Sequence, residues 1–385
     1  MQKFISEKLN GMPVSIFSTI SKLALEYNAV NLGQGFPDFN GPEWIFDFAL
    51  EAMKEGKNQY APSVGIHSLK ESIAKYQKKY YDIDLNEENI LITAGATESL
   101  YVTFQALLNK GDEVILFEPY YDSYFADVTL AGGKPKFVTL RKPTFDFDYA
   151  ELENAITEKT KLIVLNNPHN PTGKVFSKEQ LNFIASMAVK HDLMIVSDEV
   201  YEFLTFDDVK HTPIVTLPGM KERTVTISSC GKTFGFTGWK IGYAMAEPEI
   251  ITALNGIHQW TTFAVNTPGQ HAMARAFHQL DDYLPEFRML YQQKRDLVYN
   301  ALKETSFKPI KPDGSYFMMA EIPAGRFESD IDASMKLIKE LGVATIPPSV
   351  FYGKSDEGKS MLRICFAKRD ETLIEGVKRL KTFGS

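Results

Sequence analysis

The stretch TVTISSCGKTFGFTGWKIGY, residues 224–243, decides how the rest of the chain is read. A β-branched apolar run at 225–227 gives way to Ser228 and Ser229. Lys232 follows at once in Gly231-Lys232-Thr233, and Lys240 comes eight residues later in Gly238-Trp239-Lys240-Ile241-Gly242. A lysine just past a buried strand, among small residues, has two chemical uses: a charged grip on phosphate, or an amine nucleophile once its proton is lost. A phosphate loop of the form GxxxxGK[ST] requires glycine at position 226, where Thr226 stands, so that use is excluded. The amine remains, set against the plain alternative of a surface lysine at a strand end.

The segment between Asn89 and Ser229 repeats one design: a short apolar strand, a polar cluster at its carboxyl end, and often a helix. The expected strands are 90–92, 114–117, 162–165, 194–196 and 225–227. Residues 98–108 put Leu100, Phe104, Leu107 and Leu108 on one helical face. After Ser177, with Gln180 completing a capping box, Leu181, Ile184, Ala185 and Ala188 form another. Apolar strands alternating with helices predict a parallel sheet covered on both faces, whose ligands collect at the strands' carboxyl ends. Toward the N-terminus, Ile16, Ile20, Leu23 and Ala24 suit a short helix. Toward the C-terminus, Phe287, Leu290, Lys294, Leu297, Val298 and Ala301 mark a long one, followed by strand-like 316–320, helix-like 333–341 and strand-like 362–366. Gly33-Gln34-Gly35 is no dinucleotide fingerprint, because Asp38 occupies the third glycine's place.

At 385 residues the chain suggests about two domains, and 44% apolar with 24% charged residues is an ordinary globular balance. A formal charge of −7 argues against a general electrostatic grip on nucleic acid or anionic lipid. No apolar run is long enough for a membrane span, and the N-terminal residues lack the apolar core of a secretory signal. Two cysteines, Cys230 and Cys365, make neither a disulfide framework nor a metal cluster. The expectation is a cytoplasmic protein.

Four polar clusters sit at the strand ends. Thr93-Ala94-Gly95-Ala96-Thr97-Glu98 opens a helix whose free N–H groups favour phosphate, or simply has its N-cap at Thr97. Glu118-Pro119-Tyr120-Tyr121-Asp122-Ser123-Tyr124 offers rings for stacking, or core tyrosines. Asn166-Asn167-Pro168-His169-Asn170-Pro171-Thr172-Gly173 holds Asn170 in a turn between two prolines. Ser197-Asp198-Glu199-Val200-Tyr201 presents Asp198 straight after an apolar strand, where it is expected to need a cationic partner, unless it caps a helix.

An amine, an acid, stacking rings, amide donors and a helix start together match the needs of pyridoxal phosphate. Here the chain resembles the fold-type I pyridoxal-phosphate-dependent aminotransferases of class I/II over nearly its whole length. The resemblance rests on Asn167-Pro168-His169-Asn170-Pro171-Thr172-Gly173, Ser197-Asp198-Glu199-Val200-Tyr201 and Ser229-Cys230-Gly231-Lys232-Thr233-Phe234, in that order. It implies an α/β fold: a mostly parallel seven-stranded sheet sandwiched by helices (residues 38–279), with a smaller α+β domain built from 1–37 and 280–385. It also implies that Lys232 forms the internal aldimine and shuttles the proton, and that Asp198 pairs with the pyridinium nitrogen. Asn170 and Tyr201 would bond the phenolate oxygen, and Tyr121 would stack on the ring. Ala96, Thr97, Ser229 and Lys240 would hold the phosphate, with Lys240 standing where many members carry arginine. Arg363, in Met361-Leu362-Arg363-Ile364-Cys365-Phe366, would clamp the substrate α-carboxylate, with Gly35 beside it. Without the family, an arginine on a strand's polar face reads as solvated.

Asn31-Leu32-Gly33-Gln34-Gly35-Phe36-Pro37-Asp38-Phe39, Asn58-Gln59-Tyr60-Ala61-Pro62 and Thr262-Phe263-Ala264-Val265-Asn266-Thr267-Pro268 look like the kynurenine aminotransferase-like subgroup, most of all its bacterial methionine aminotransferases. That likeness implies a homodimer in which Tyr60 reaches the neighbour's phosphate, and an apolar pocket lined by Phe17 and Phe36. The pocket walls are expected at 14–20, 33–39 and 261–266, with Phe263 and Val265 contributing. The activity expected is transamination of methionine and aromatic amino acids with a 2-oxo acid. A carbon–sulfur β-lyase using the same residues is the alternative, marked by ammonia and pyruvate released from a cysteine conjugate. A non-catalytic regulator half is disfavoured, since the fold's first segment starts almost at residue 1.

Overall fold

The computed structural model describes residues 4, 6–9 and 15–383. Its strands are β1 (Val30–Asn31), β2 (Ile90–Thr93), β3 (Glu113–Glu118), β4 (Lys134–Thr139), β5 (Thr160–Asn166), β6 (Met194–Asp198), β7 (Thr224–Ser229), β8 (Gly242–Met245), β9 (Lys308–Ile310), β10 (Phe317–Glu321), β11 (Val343–Ala344) and β12 (Met361–Cys365). Seven of them form one sheet in the order β2-β8-β7-β6-β5-β3-β4. β3, β4, β5, β6 and β7 pair in parallel, while β8 runs antiparallel to both of its neighbours.

The five strands expected from the sequence are all present, each one to three residues longer than its apolar run. The two unforeseen ones have physical reasons. β4, KPKFVT, is an edge strand, where Pro135 is tolerated and the first four residues stay partly exposed. β8 is four residues long and follows immediately on a loop, so it carries no period to read. Helices cover both faces. Leu181, Ile184, Ala185 and Ala188 of Lys178–Lys190 are buried against one side, and the Ser177–Gln180 capping box is formed. Leu100 and Phe104 of Gly95–Leu107 pack on the other.

Beyond this sheet, β12, β10 and β9 make a three-stranded antiparallel sheet, and β1 pairs with β11. The helix Ile16–Glu26 buries Ile20 and Ala24. The long helix Leu280–Lys303 turns Phe287, Tyr291, Lys294 and Val298 inward; Leu290, expected on that face, is 38% exposed because Tyr291 occupies the centre of the stripe. Among the described residues, no helix is long and apolar enough to cross a membrane.

Register sets the site. Asn166 lies opposite Asp198, and Asp198 opposite Ile227; Ser229 and Thr93 both face Gly242. The carboxyl ends of β2, β5, β6 and β7 therefore finish side by side.

Candidate active site

A cavity of about 430 Å³ opens at these strand ends. Its wall contains Lys232, Asp198, Tyr201, Asn170, Tyr121, Ala96, Thr97, Ser229, Lys240, Arg363, Gly35, Phe17 and Phe36. Tyr60, expected at the neighbouring phosphate, is outside it. Tyr60 is 83% exposed, its ring against Phe263 at 5.4 Å between centroids. Phe263 and Val265 are not in the wall either: Val265 is buried in the core, and Phe263 stands at the surface beside Tyr60. Val14, at the start of one expected wall, lies outside the described residues.

Lys232 is carried by a short helix, Cys230–Thr233, that begins directly after β7. Its Nζ lies 2.8 Å from the Tyr316 hydroxyl and 3.3 Å from the Gly35 carbonyl oxygen, to which Tyr316 also donates at 2.6 Å. Burial pushes the ammonium down to about 8, with Lys240 and Arg363 adding to the effect. This is no free surface lysine.

Asp198 ends β6 and no helix follows, so it caps none. Its Oδ1 accepts the Val200 N–H at 3.3 Å in a local turn. Among the described residues no cation forms an ion pair with Asp198, although the Lys232 charge acts on it, and the carboxylate accepts a 2.6 Å hydrogen bond from the Tyr124 hydroxyl. Burial pushes this carboxyl up to about 6, against the pull of the Tyr124 and Val200 hydrogen bonds. Asn166 ties two motifs together: its amide donates to the Asp198 carbonyl at 2.9 Å, and its carbonyl accepts the Asn170 N–H at 2.7 Å.

The helix after β2 starts at Gly95, so Thr97 sits within its first turn and is not the N-cap. Ala96 and Thr97 line the cavity, and as first-turn residues their N–H groups have no intrahelical carbonyl to meet. Two glycines keep the approach close. A Cβ at Gly95, whose φ is +77°, would come 2.9 Å from the Lys240 Nζ, and one at Gly242 would come 2.6 Å from the Ala96 nitrogen. Lys240 itself lies 3.3 Å from the Thr97 hydroxyl. First-turn N–H groups and a cation make a cradle for an anion.

Arg363 corrects the solvated reading most sharply. Every residue of β12 is buried, so the strand has no wet face, and Arg363 is 1% exposed. Its Nη1 donates to the Asn170 side-chain oxygen at 3.1 Å and its Nη2 to the Gly33 carbonyl at 2.9 Å, while its buried Nε has no partner. The rings of Phe317, Phe17 and Phe351 surround the guanidinium at 4.3, 4.9 and 5.4 Å. Among the described residues it makes no ion pair. A fully buried guanidinium with a spare donor, at the edge of a cavity, calls for an anionic ligand.

Sequence reading placed Tyr124 and Asn166 in strand-end clusters without giving either a role, and it gave Tyr316 none. Tyr124 had a signal, three residues past Tyr121 in the aromatic run. Tyr316 had none, since only the fold brings it to Lys232.

The family model described as aminotransferase class I and II matches residues 27–380. The chain belongs to this family. The kynurenine–oxoglutarate transaminase of Dictyostelium discoideum is 40% identical over 96% of this chain and 94% of its own length. The methionine aminotransferase of Escherichia coli strain K12 is 38% identical over 97% of each. In three dimensions the chain is similar to YbdL from Escherichia coli, for which a methionine aminotransferase function is identified, with a TM-score of 0.94, 37% identity, and 98% and 99% of the two chains covered. Class I and II aminotransferases act on amino acids and 2-oxo acids and are in general pyridoxal-phosphate dependent.

Proposed function

We propose that this aminotransferase binds pyridoxal 5′-phosphate through Lys232 and moves the α-amino group of methionine and aromatic L-amino acids to a 2-oxo acid. The buried, ion-pair-free Arg363, in the same cavity as Lys232 with its lowered proton affinity, carries this reading. The residues present fit the cofactor: a free amine for its aldehyde, an isolated carboxylate for its ring nitrogen, and a helix start with a cation for its phosphate. When bound, the cofactor's protonated ring supplies the electron sink that amino-acid chemistry at Cα needs.

Each side chain then has a defined task. Asp198, oriented by Tyr124, keeps the ring nitrogen protonated, and Tyr121 packs on the ring face. Asn170 and Tyr201 donate to the phenolate oxygen. Ala96, Thr97, Ser229 and Lys240 hold the phosphate. Arg363 and the Gly35 segment orient the substrate carboxylate, so that its Cα–H faces Lys232. Lys232 Nζ takes that proton as a general base, which its lowered proton affinity makes possible near neutral pH. Phe17 and Phe36 favour a large uncharged side chain. The exposure of Tyr60 beside Phe263 supports a homodimer in which this pair serves the neighbouring site. Residues 38–279 would form the cofactor-binding domain, with 1–37 and 280–385 the smaller one.

The test is a panel of amino acids and 2-oxo acids given to purified holoenzyme, with products identified. Methionine and phenylalanine should rank first as donors; a clear lead for aspartate or glutamate would refute the specificity.

A further inference from the structure

Glu98 and His258 lie behind the phosphate cradle and touch neither Lys232 nor Arg363. His258 is fully buried and Glu98 nearly so. The His258 Nδ1 lies 2.9 Å from Glu98 Oε1, and its Nε2 lies 3.0 Å from the Ser63 carbonyl oxygen. Both neighbours only accept hydrogen bonds. A neutral imidazole has a single N–H and would leave one pair of lone pairs facing each other, whereas an imidazolium satisfies both. Glu98 also receives the Ala94 N–H at 2.5 Å and the Thr261 hydroxyl at 3.1 Å. Burial alone would push its carboxyl up, but hydrogen bonds from His258, Thr262 and Ala94 hold it below its ordinary value.

We propose that Glu98 and a doubly protonated His258 form a buried charge-balancing pair that makes the start of helix Gly95–Leu107 receptive to phosphate. Glu98 follows Thr97 in the chain, so its carboxylate stands in the turn that offers N–H groups to the cavity. Lys240, the cradle's own cation, also feels the Glu98 charge; the imidazolium takes up that carboxylate, so that Lys240 is left for the phosphate while Glu98 still anchors the Ala94 N–H. The pair is also a junction. Ser63 lies three residues past Tyr60 and Thr261 two before Phe263, so both exposed aromatic arms are tied to the cradle through it. These are positioning residues.

The inference rests on the pyridoxal-phosphate reading, and its test separates the two. Apoprotein is titrated by absorbance with pyridoxal 5′-phosphate and with pyridoxal, which lacks the phosphate, for wild type, H258Q, E98Q and the double variant E98Q/H258Q. H258Q leaves Lys240 as the cation that must offset the carboxylate, and should lose about tenfold in affinity for the phosphorylated form relative to pyridoxal. E98Q and the double variant should stay within about threefold of wild type, since neither carries an unbalanced negative charge. A purely structural role would weaken both singles alike and both ligands alike. Equal losses in H258Q and E98Q, or no loss in H258Q, overturns the proposal. Wild type that shows no preference for the phosphorylated form overturns the underlying reading instead. If H258Q does not fold, nitrogen-15 NMR of wild-type holoenzyme decides, with the His258 resonances assigned by their absence in the double variant. Two protonated ring nitrogens are expected, and a singly protonated ring refutes the pair.

Discussion

Replacing Arg363 with methionine keeps most of the side chain's volume and removes its charge and its fork of donors. In the proposed complex Arg363 makes two charge-assisted hydrogen bonds to the substrate carboxylate, each worth roughly 1.5–3 kcal/mol. Their loss, about 3–6 kcal/mol, lowers kcat/KM for methionine by roughly two to four orders of magnitude. Fold stability should respond differently. The variant forfeits the hydrogen bonds to Asn170 and Gly33, but it also relieves a buried guanidinium that has no counter-ion among the described residues. These effects oppose each other, because an uncompensated buried charge costs several kcal/mol. Arg363→Met should therefore melt near wild type and take up cofactor normally while failing with substrate. Steady-state kinetics, a thermal melt and a cofactor titration on one preparation measure all three. A folded, cofactor-loaded variant within tenfold of wild-type kcat/KM would refute the carboxylate clamp. Collapse of the melt would show that Arg363 serves the fold first.

Other expectations follow from the same geometry. Asp198→Asn should bind cofactor but slow turnover by roughly two to four orders of magnitude, since an amide cannot hold the ring proton; near-normal rates would refute that role. Lys232→Ala should abolish turnover, and full activity in that variant would mean that another amine does the chemistry. With Lys232 at about 8 in the ligand-free protein, cofactor capture needs the deprotonated amine. Capture by apoprotein should therefore rise roughly tenfold from pH 6 to 7 and level off above about pH 9. A stopped-flow series that is flat across this range would show the amine is not limiting. Methionine should exceed aspartate in kcat/KM by at least about a hundredfold, because Lys368, the cation beside Phe36, is held by the Phe36 carbonyl at 2.7 Å and does not line the cavity. Equal efficiencies would place a cation at that wall.

Sequence and structure agree where a local pattern carries the information. The longer central strands, such as β5 with its run Leu162, Ile163, Val164 and Leu165, announced themselves by an unbroken apolar stretch. The polar residues closing those strands, Asn166, Asp198 and Ser229, were bound to converge once the strands were parallel and in register. What stayed hidden depends on tertiary contacts. The edge strand β4 is half polar, and β8 is too short to show a period. The burial of Arg363 depends on β10 and the Ile346 bridge closing both sides of β12. The replacement of an expected cation beside Asp198 by the Tyr124 hydroxyl depends on a helix turn placed over the sheet. Phe263 and Val265 were expected in the pocket wall because their segment resembles that of the subgroup. One supplies core instead, and the other a surface arm beside Tyr60.

The central claim is that Lys232 is the amine that takes the cofactor. Borohydride reduction of purified holoenzyme, followed by proteolysis and mass spectrometry, tests it directly. The phosphopyridoxyl mass should appear on Lys232 alone and vanish in Lys232→Ala; label on another lysine, or none on a yellow protein, would contradict it.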